Sequence, residues 1–271
     1  MAGHSKWANI KRQKARVDAV KGKVFTKISR EIIVAARSGV PDPTGNFQLR
    51  TAIEKAKAAG IPNDNIERAI AKGAGKIGPD NAALEAIRYE GYGPGGVAIL
   101  IEALTDNRNR TAADLRVAFS KNGGNLGETG CVGWMFDQKG VVVVSLAPTK
   151  LNGRGRRSES TAAISEEALL EAFLDGGADT YELLETEDGT QAEAWTDVTN
   201  LEVLSQTLKD KNFHVTQVEL RWIPNNTVEV SDSGQARSLL KMMDALEDLD
   251  DVQTVTANFE MTDELMSLSF A

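Results

Sequence analysis

Between residues 140 and 222 the chain alternates in a way that few folds accept. Residues 140–146 form a strongly apolar run of strand length. Ser165 is placed to cap a helix reaching about Leu174, and Gly176 and Gly177 stop it. Residues 180–186 and 190–195 flank Asp188 and Gly189, a two-residue hairpin signal. Residues 200–211 read as a helix and residues 213–222 as a strand. The order is strand, helix, strand, strand, helix, strand, the split unit of ferredoxin-like folds.

The flanking sequence predicts a second sheet. Residues 86–92 and 97–104 read as strands, joined by a turn at residues 93–96, Gly-Pro-Gly-Gly. A helix running to about Lys121 follows, with Leu115 and Phe119 inward and an entry capped by Asn109 or Thr111. Residues 225–230, 233–249 and 252–261 add strand, helix and strand. These three can complete the sheet begun at Ala86, which makes the ferredoxin-like unit an insertion. Residues 123–130, glycine-rich and without a lysine, read as a flexible joint. Asp244, Glu247, Asp248, Asp250 and Asp251 mark an exposed negative edge. Cys131 reads as a small, buried apolar residue.

The front of the chain is helical. Phe25, Ile28, Ile32 and Ala36 recur at helical spacing within residues 24–38. Residues 46–59 repeat the pattern with Leu49, Ile53 and Ala56. Asn63 is a good N-cap for a third helix reaching Lys72, with Ile66 and Ile70 inward and Gly73 as its C-cap. The expected fold class is therefore α+β and multidomain. A three-helix bundle with a basic arm occupies residues 1–78. Two ferredoxin-like-type α/β domains follow, one inserted in the other: residues 79–130 with 224–271 form the first, and residues 131–223 the second.

Charge is segregated along this order. Residues 1–37 hold ten Lys or Arg against two acids, and residues 1–76 carry a net +10, within a chain whose net charge is −8. The remainder therefore carries −18. Lys and Arg gain affinity for phosphates by releasing condensed counterions, and acids facing phosphate lose it. Up to about Gly22 there is no apolar stripe, so this stretch reads as an arm. Trp7 and His4 sit among its cations, where charges can track a phosphate backbone and a ring can stack on a base. The candidate nucleic-acid contacts are His4, Lys6, Trp7, Lys11, Arg12, Lys14, Arg16, Lys21, Lys23 and Lys27. Arg108 and Arg110, beside Asn107 and Asn109, are candidates for a phosphate or for an ordinary helix entry. Lys150, Arg154, Arg156 and Arg157 form a second basic patch in a long polar loop. The turn at Gly60 permits a helix-turn-helix. Its third helix, however, presents Asp64 and Glu67 beside Asn65, Arg68 and Lys72, a mixed face for a groove lined with phosphates. Any DNA contact is expected mostly on the backbone.

Other chemistries find little footing. One Cys and two distant His, His4 and His214, supply no Cys/His metal cluster and no disulfide. The Gly-rich turns lack the Lys and Ser of a phosphate-binding loop. No nucleophile–base pair or metal spacing of carboxylates is evident, so a non-enzymatic chain with no cofactor and no small-molecule substrate is expected. No run approaches the roughly eighteen apolar residues of a membrane helix, and the start has no secretory h-region. A cytoplasmic protein with no membrane partner is the expectation.

Several stretches together resemble the YebC/PmpR family, which includes the mitochondrial translational activator of cytochrome oxidase subunit one. They are Gly3-His4-Ser5-Lys6-Trp7 with the basic run to Arg16, and residues 89–96, Tyr-Glu-Gly-Tyr-Gly-Pro-Gly-Gly. Thr105-Asp106-Asn107 with Asn109-Arg110-Thr111, and Gly123-Gly124-Asn125-Leu126-Gly127, complete the set. The resemblance covers nearly the whole chain. It implies three domains, a helical one and two α/β ones, with one α/β domain inserted in the other. It also implies a cytoplasmic, non-enzymatic regulator of gene expression. Members are customarily labelled DNA-binding transcriptional regulators; some look instead like ribosome-associated translation factors, whose partners would be ribosomal RNA and the ribosome.

Overall fold

A computed structural model describes residues 18–77, 84–146, 165–186 and 189–267. The chain forms two compact units, Met1–Asp137 with Pro224–Ala271, and Gln138–Ile223.

The first unit begins with three helices, α1 (Asp18–Ser38), α2 (Phe47–Ala58) and α3 (Asn63–Gly73). Their core is Ile28, Ile32, Ile33, Leu49, Ile53 and Ile66 with small alanines between. Asn46 joins two of them: its Oδ1 accepts from Leu49 N, and its Nδ2 donates to Ala35 O and Val40 O. Two expectations need correction. The helix does not wait for Val24; it begins at Asp18 and runs through Gly22. A mid-helix glycine costs about 1 kcal/mol relative to alanine. Continuing the helix places Lys23, Lys27 and Arg30 on one face, where each finds a partner within residues 247–251, described below. Gly73 is also not a C-cap. Ala74 holds that position, and Gly73 is where α3 presses on α1. An added Cβ there would stand 2.5 Å from Ile33 O and 2.7 Å from Ala36 Cβ.

Next come β1 (Glu85–Tyr92), β2 (Ala98–Thr105), α4 (Arg108–Lys121) and the short β3 (Asn125–Leu126). β1 and β2 form an antiparallel hairpin from Tyr92↔Ala98 to Glu85↔Thr105. The turn between them uses Gly95 and Gly96 at φ near +76°, a region open to glycine at no steric cost. Helix α4 starts two to four residues earlier than expected, ahead of either predicted cap. Asn107 is its cap, its side chain accepting from Arg110 N, because Asn107 has the extended backbone a cap requires.

Residues 123–130 are not a slack joint. β3 pairs with Gly91 and Tyr92 of β1, and Gly127 N donates to Glu90 O at 2.8 Å. Gly91 admits this packing: a Cβ would meet the Phe119 ring and Asn125 O at 2.7 Å.

After the second unit the chain returns as β8 (Val228–Glu229), α7 (Ser233–Glu247), β9 (Val252–Ala257), β10 (Phe259–Glu260) and α8 (Asp263–Ser267). The sheet order is β3-β1-β2-β9. β9 thus completes the sheet, as its pattern suggested, whereas β8 does not. β8 pairs in parallel with β10 in a separate two-stranded ribbon. Asn258 makes the switch between sheets, accepting Ala98 N on Oδ1 at 2.7 Å. α4 and α7 cover one face through Leu115, Phe119, Leu239, Met243 and Leu246, packed on Ile99, Ile101 and Val255.

The second unit holds most of β4 (Phe136–Ser145) and β7 (His214–Pro224), with α5 (Glu166–Asp175), β5 (Thr180–Thr186), β6 (Gly189–Thr196) and α6 (Leu201–Asp210) between them. Its sheet order is β5-β6-β4-β7, the ferredoxin-like arrangement. Ser165 caps α5 by accepting from Ala168 N. Asn200 Nδ2 donates to the carbonyls of Gly176 and Gly177, holding the end of α5 to the start of α6. Arg221 bridges Glu193 and Glu219, each at 2.7 Å.

The second unit starts at Gln138, not at Cys131. Glu90 holds the Val132 and Gly133 amides, which begin the 131–137 stretch, to β1 of the first unit. The helical bundle also falls in the first unit, joined to the α/β part by the contacts that follow.

Candidate nucleic-acid interface

His4, Lys6, Trp7, Lys11, Arg12, Lys14 and Arg16 lie outside the described residues, as do Lys150, Arg154, Arg156 and Arg157 in the basic loop. Lys21 is on the first turns of α1, its side chain undescribed. The remaining candidates have definite places.

Lys23 Nζ bonds the Asp248 carboxylate at 3.2 Å and the Asp248 carbonyl at 3.3 Å. Lys27 Nζ bonds the Glu247 carbonyl at 2.8 Å. Both lysines therefore sit at the C-terminal end of α7, where orphan carbonyls and the negative end of the helix dipole attract cations. One turn further, Arg30 Nη1 bonds Asp251 Oδ1 at 2.8 Å, and also the carbonyls of Leu104 and Asp250. The sequence pattern marked residues 244–251 as an exposed acidic edge. In the fold, Asp251 is buried and Asp248 is paired with α1.

Asp251 is the hub of this region. Its Oδ2 accepts from Thr105 Oγ1 at 3.1 Å, Arg110 Nη2 at 2.8 Å and Thr111 Oγ1 at 2.7 Å. Burial pushes the Asp251 carboxyl upward, and the hydrogen bonds from Arg110, Thr111, Thr105 and Arg30 outweigh it, leaving it below the ordinary carboxylate range. Arg110 is divided between Asp251 and Asp106, also at 2.8 Å. Its hydrogen bond to Asp251 raises its basicity further. Its role in the fold is to neutralise these acids. Arg108 differs: its side chain is 69% exposed, with a loose 3.8 Å approach to Glu85. Lys121 and Lys241 are also exposed, on the walls of a shallow cleft between the end of α4 and α7.

A second buried carboxylate, Glu90, gathers backbone. Oε1 accepts from Gly130 N at 2.9 Å, and Oε2 from Val132 N and Gly133 N, both at 2.7 Å. Burial raises this carboxyl, and the three amides outweigh burial and lower it. Cys131, between those amides, is only partly buried. Burial and the Glu90 charge raise its thiol, which is the wrong direction for a nucleophile. Tyr92 Oη and Trp134 Nε1 both donate to the Cys131 carbonyl, and Trp134 stands 69% exposed. Among the described residues, no group of three or more His, Cys, Asp or Glu is placed to hold a metal ion, and no helix is long and apolar enough to cross a membrane.

Arg30, Asp251, Glu90 and Trp134 carry no mark in the sequence that sets them apart. Arg30 is one cation among ten in the first 37 residues, and Asp251 one acid in an acidic run. Glu90 sits in a strand where alternation alone predicts an outward side chain. The available signal is the pairing of a strand acid with a glycine-rich stretch, whose amides approach closely.

Residues 5–76 match the family described as TACO1/YebC protein N-terminal domain, and residues 84–259 match TACO1/YebC second and third domain. A protein of Trichormus variabilis named "Probable transcriptional regulatory protein" is 72% identical over 271 residues, covering all of both chains. Another of the same descriptive name, from Gloeothece citriformis, is 69% identical, again over all of both chains. The crystal structure of a conserved hypothetical protein, Aq1575 from Aquifex aeolicus, superposes with a TM-score of 0.77 at 42% identity, covering 92% of this chain and 94% of that one. With its bundle, its glycine-pinned hairpin and both α/β regions matched in sequence and in fold, the chain belongs to the TACO1/YebC family.

Proposed function

We propose that this protein is a non-enzymatic, nucleic-acid-binding regulator of gene expression that holds phosphates with its N-terminal arm. The observation that carries the reading is where its charges go. The first 37 residues hold +8, while Lys23, Lys27 and Arg30 are all engaged by the last residue of α7 and the turn that follows it. Lys6, Lys11, Arg12, Lys14, Arg16 and Lys21 precede them in the sequence, and Arg108 is exposed beyond. Relatives bearing the name of transcriptional regulators support DNA as the partner.

A second reading, a ribosome-associated translation factor that binds ribosomal RNA, is favoured by α3. That helix exposes Asp64 and Glu67 beside Asn65, Arg68 and Lys72. Such a face repels the walls of a major groove, whereas a thin cationic arm suits a cleft walled by RNA.

The test is a salt titration of binding to duplex DNA, to single-stranded RNA and to ribosomes, by the full chain and by a variant with Lys6, Lys11, Arg12, Lys14 and Arg16 replaced by Gln. The variant is expected to lose affinity and to show a shallower salt dependence, by about 0.7–0.9 in log–log slope for each phosphate it no longer neutralises. The probe whose binding weakens most names the partner. Unchanged affinity for every probe overturns the proposal.

A further inference from the structure

We infer that the acidic turn after α7 acts as an internal phosphate mimic, competing with nucleic acid for Lys23 and Lys27. The inference rests on the nucleic-acid reading above and concerns how that interface is regulated.

The acidic turn offers these lysines the chemistry of a phosphate site. Lys23 Nζ is held by one carboxylate oxygen and one carbonyl oxygen of Asp248, and Lys27 Nζ by the Glu247 carbonyl. These oxygens lie at the negative end of the 15-residue helix α7. A lysine ammonium is a compact point charge with rotatable donors. It exchanges such oxygens for those of a phosphodiester without changing its own geometry.

The pairs are also graded in depth. Lys23 and Asp248 are open to solvent, with side chains 48% and 74% exposed, whereas Arg30 and Asp251 are only 20% and 8% exposed. Exposed pairs contribute little and exchange freely, while breaking a buried one leaves a stranded charge. Lys23 can therefore leave the acidic turn while Arg30 keeps α1 docked on Asp251. Lys23 and Lys27 follow the basic stretch of residues 6–16 in the sequence. A polyanion must outcompete the chain's own carboxylate and carbonyl oxygens for these two lysines, which holds down binding to weak or short polyanions.

The experiment compares wild type, Asp248→Asn, Asp250→Asn, Lys23→Gln and the Asp248→Asn/Lys23→Gln double variant. The probes are a fluorescein-labelled single-stranded RNA and a DNA duplex of equal length, read by anisotropy from about 50 to 200 mM salt. Asp248→Asn frees Lys23 and is expected to tighten binding about threefold or more at the lowest salt. It should also steepen the log–log salt slope by about 0.7–0.9, the increment for one more neutralised phosphate. Asp250→Asn removes an equal charge two residues away; its carbonyl bond to Arg30 is kept, and its carboxylate does not hold Lys23. It should tighten binding by less. In the Lys23→Gln background the Asp248→Asn gain should vanish. Equal gains from Asp248→Asn and Asp250→Asn, or a gain that survives Lys23→Gln, show general repulsion and overturn the inference alone. Failure of the wild type to bind either probe overturns the nucleic-acid reading, and this inference with it. Matching circular dichroism melts across the set exclude altered folding.

Discussion

Arg30 Nη1 lies 2.8 Å from Asp251 Oδ1, joining residues 221 positions apart in sequence. The pair links α1 of the bundle to the turn that leads into β9. The same carboxylate receives Thr105, Thr111 and Arg110 from β2 and α4. One acid therefore ties α1 and the β2–α4 junction to the turn before β9.

Replacing Asp251 by Ala should cost about 3–5 kcal/mol, the usual consequence of removing one partner of a buried ion pair and leaving the cation unpaired. Urea unfolding of Asp251→Ala at neutral pH measures it. A loss under about 1 kcal/mol, the range of exposed pairs, would show that the cluster does not hold the bundle in place.

Acid should weaken the fold through Asp251 and Glu90. Both carboxyls are pushed up by burial and brought below the ordinary range by their hydrogen bonds. A carboxyl lower in the folded than in the unfolded chain contributes stability above its unfolded pKa, and that contribution is lost as pH falls through the folded value. Stability should therefore be level from neutral pH down to about 5, then fall steeply below about 4. Thermal melts across this range check the sign. In Asp251→Asn the acid limb should be flatter, because one of the two groups no longer titrates.

Glu90→Gln keeps the shape of the side chain and removes its charge. One of the two acceptor oxygens becomes an amide donor, so at least one of Gly130, Val132 and Gly133 loses its partner. The expected loss is about 1.5–3 kcal/mol, the range for hydrogen bonds to charged groups. Amide hydrogen exchange should accelerate at those three residues and at Gly127, while the amides of α3 keep their protection.

Gly73→Ala tests the approach of α3 to α1. The added methyl would meet Ile33 O at 2.5 Å, so α3 must move off α1. Overpacking of this kind costs about 1–3 kcal/mol. Alanine would instead stabilise an open helical site by up to about 1 kcal/mol. The sign of the change in denaturation midpoint therefore separates close packing from a capping role.

In the second unit, Arg221→Ala should be more damaging than an exposed arginine truncation. It strands Glu193, whose side chain is only 6% exposed, and costs about 3–5 kcal/mol. Restoring about half of that loss with Glu193→Gln in the same chain would identify the unpaired charge as the cause. No recovery would point to a packing defect instead.

Much of the architecture is legible in the chain itself. The pattern of residues 140–222 contains its strands, helices and hairpin, and Ser165 announces the start of α5. Gly93 to Gly96 mark a turn that the backbone dihedrals confirm. These signals are local: a cap bonds amides two or three residues away, and side-chain alternation follows from the pleat of a single strand. Asn107 does not stand out in the same way, because several residues of that entry could cap, and only the backbone conformation selects one.

Periodicity, glycine placement and charge polarity along the chain are enough to divide it into a basic helical front and sheet-bearing acidic regions. The destination of the charges depends on folding. Lys23 and Lys27 read as nucleic-acid contacts, and residues 244–251 as an exposed negative edge, until the fold sets them against each other. The glycine stretch after α4 reads as a hinge until Glu90 binds its amides. An ion pair or a buried carboxylate takes its partner from whatever surface packing brings within about 3 Å, and no periodic pattern along a chain encodes that distance.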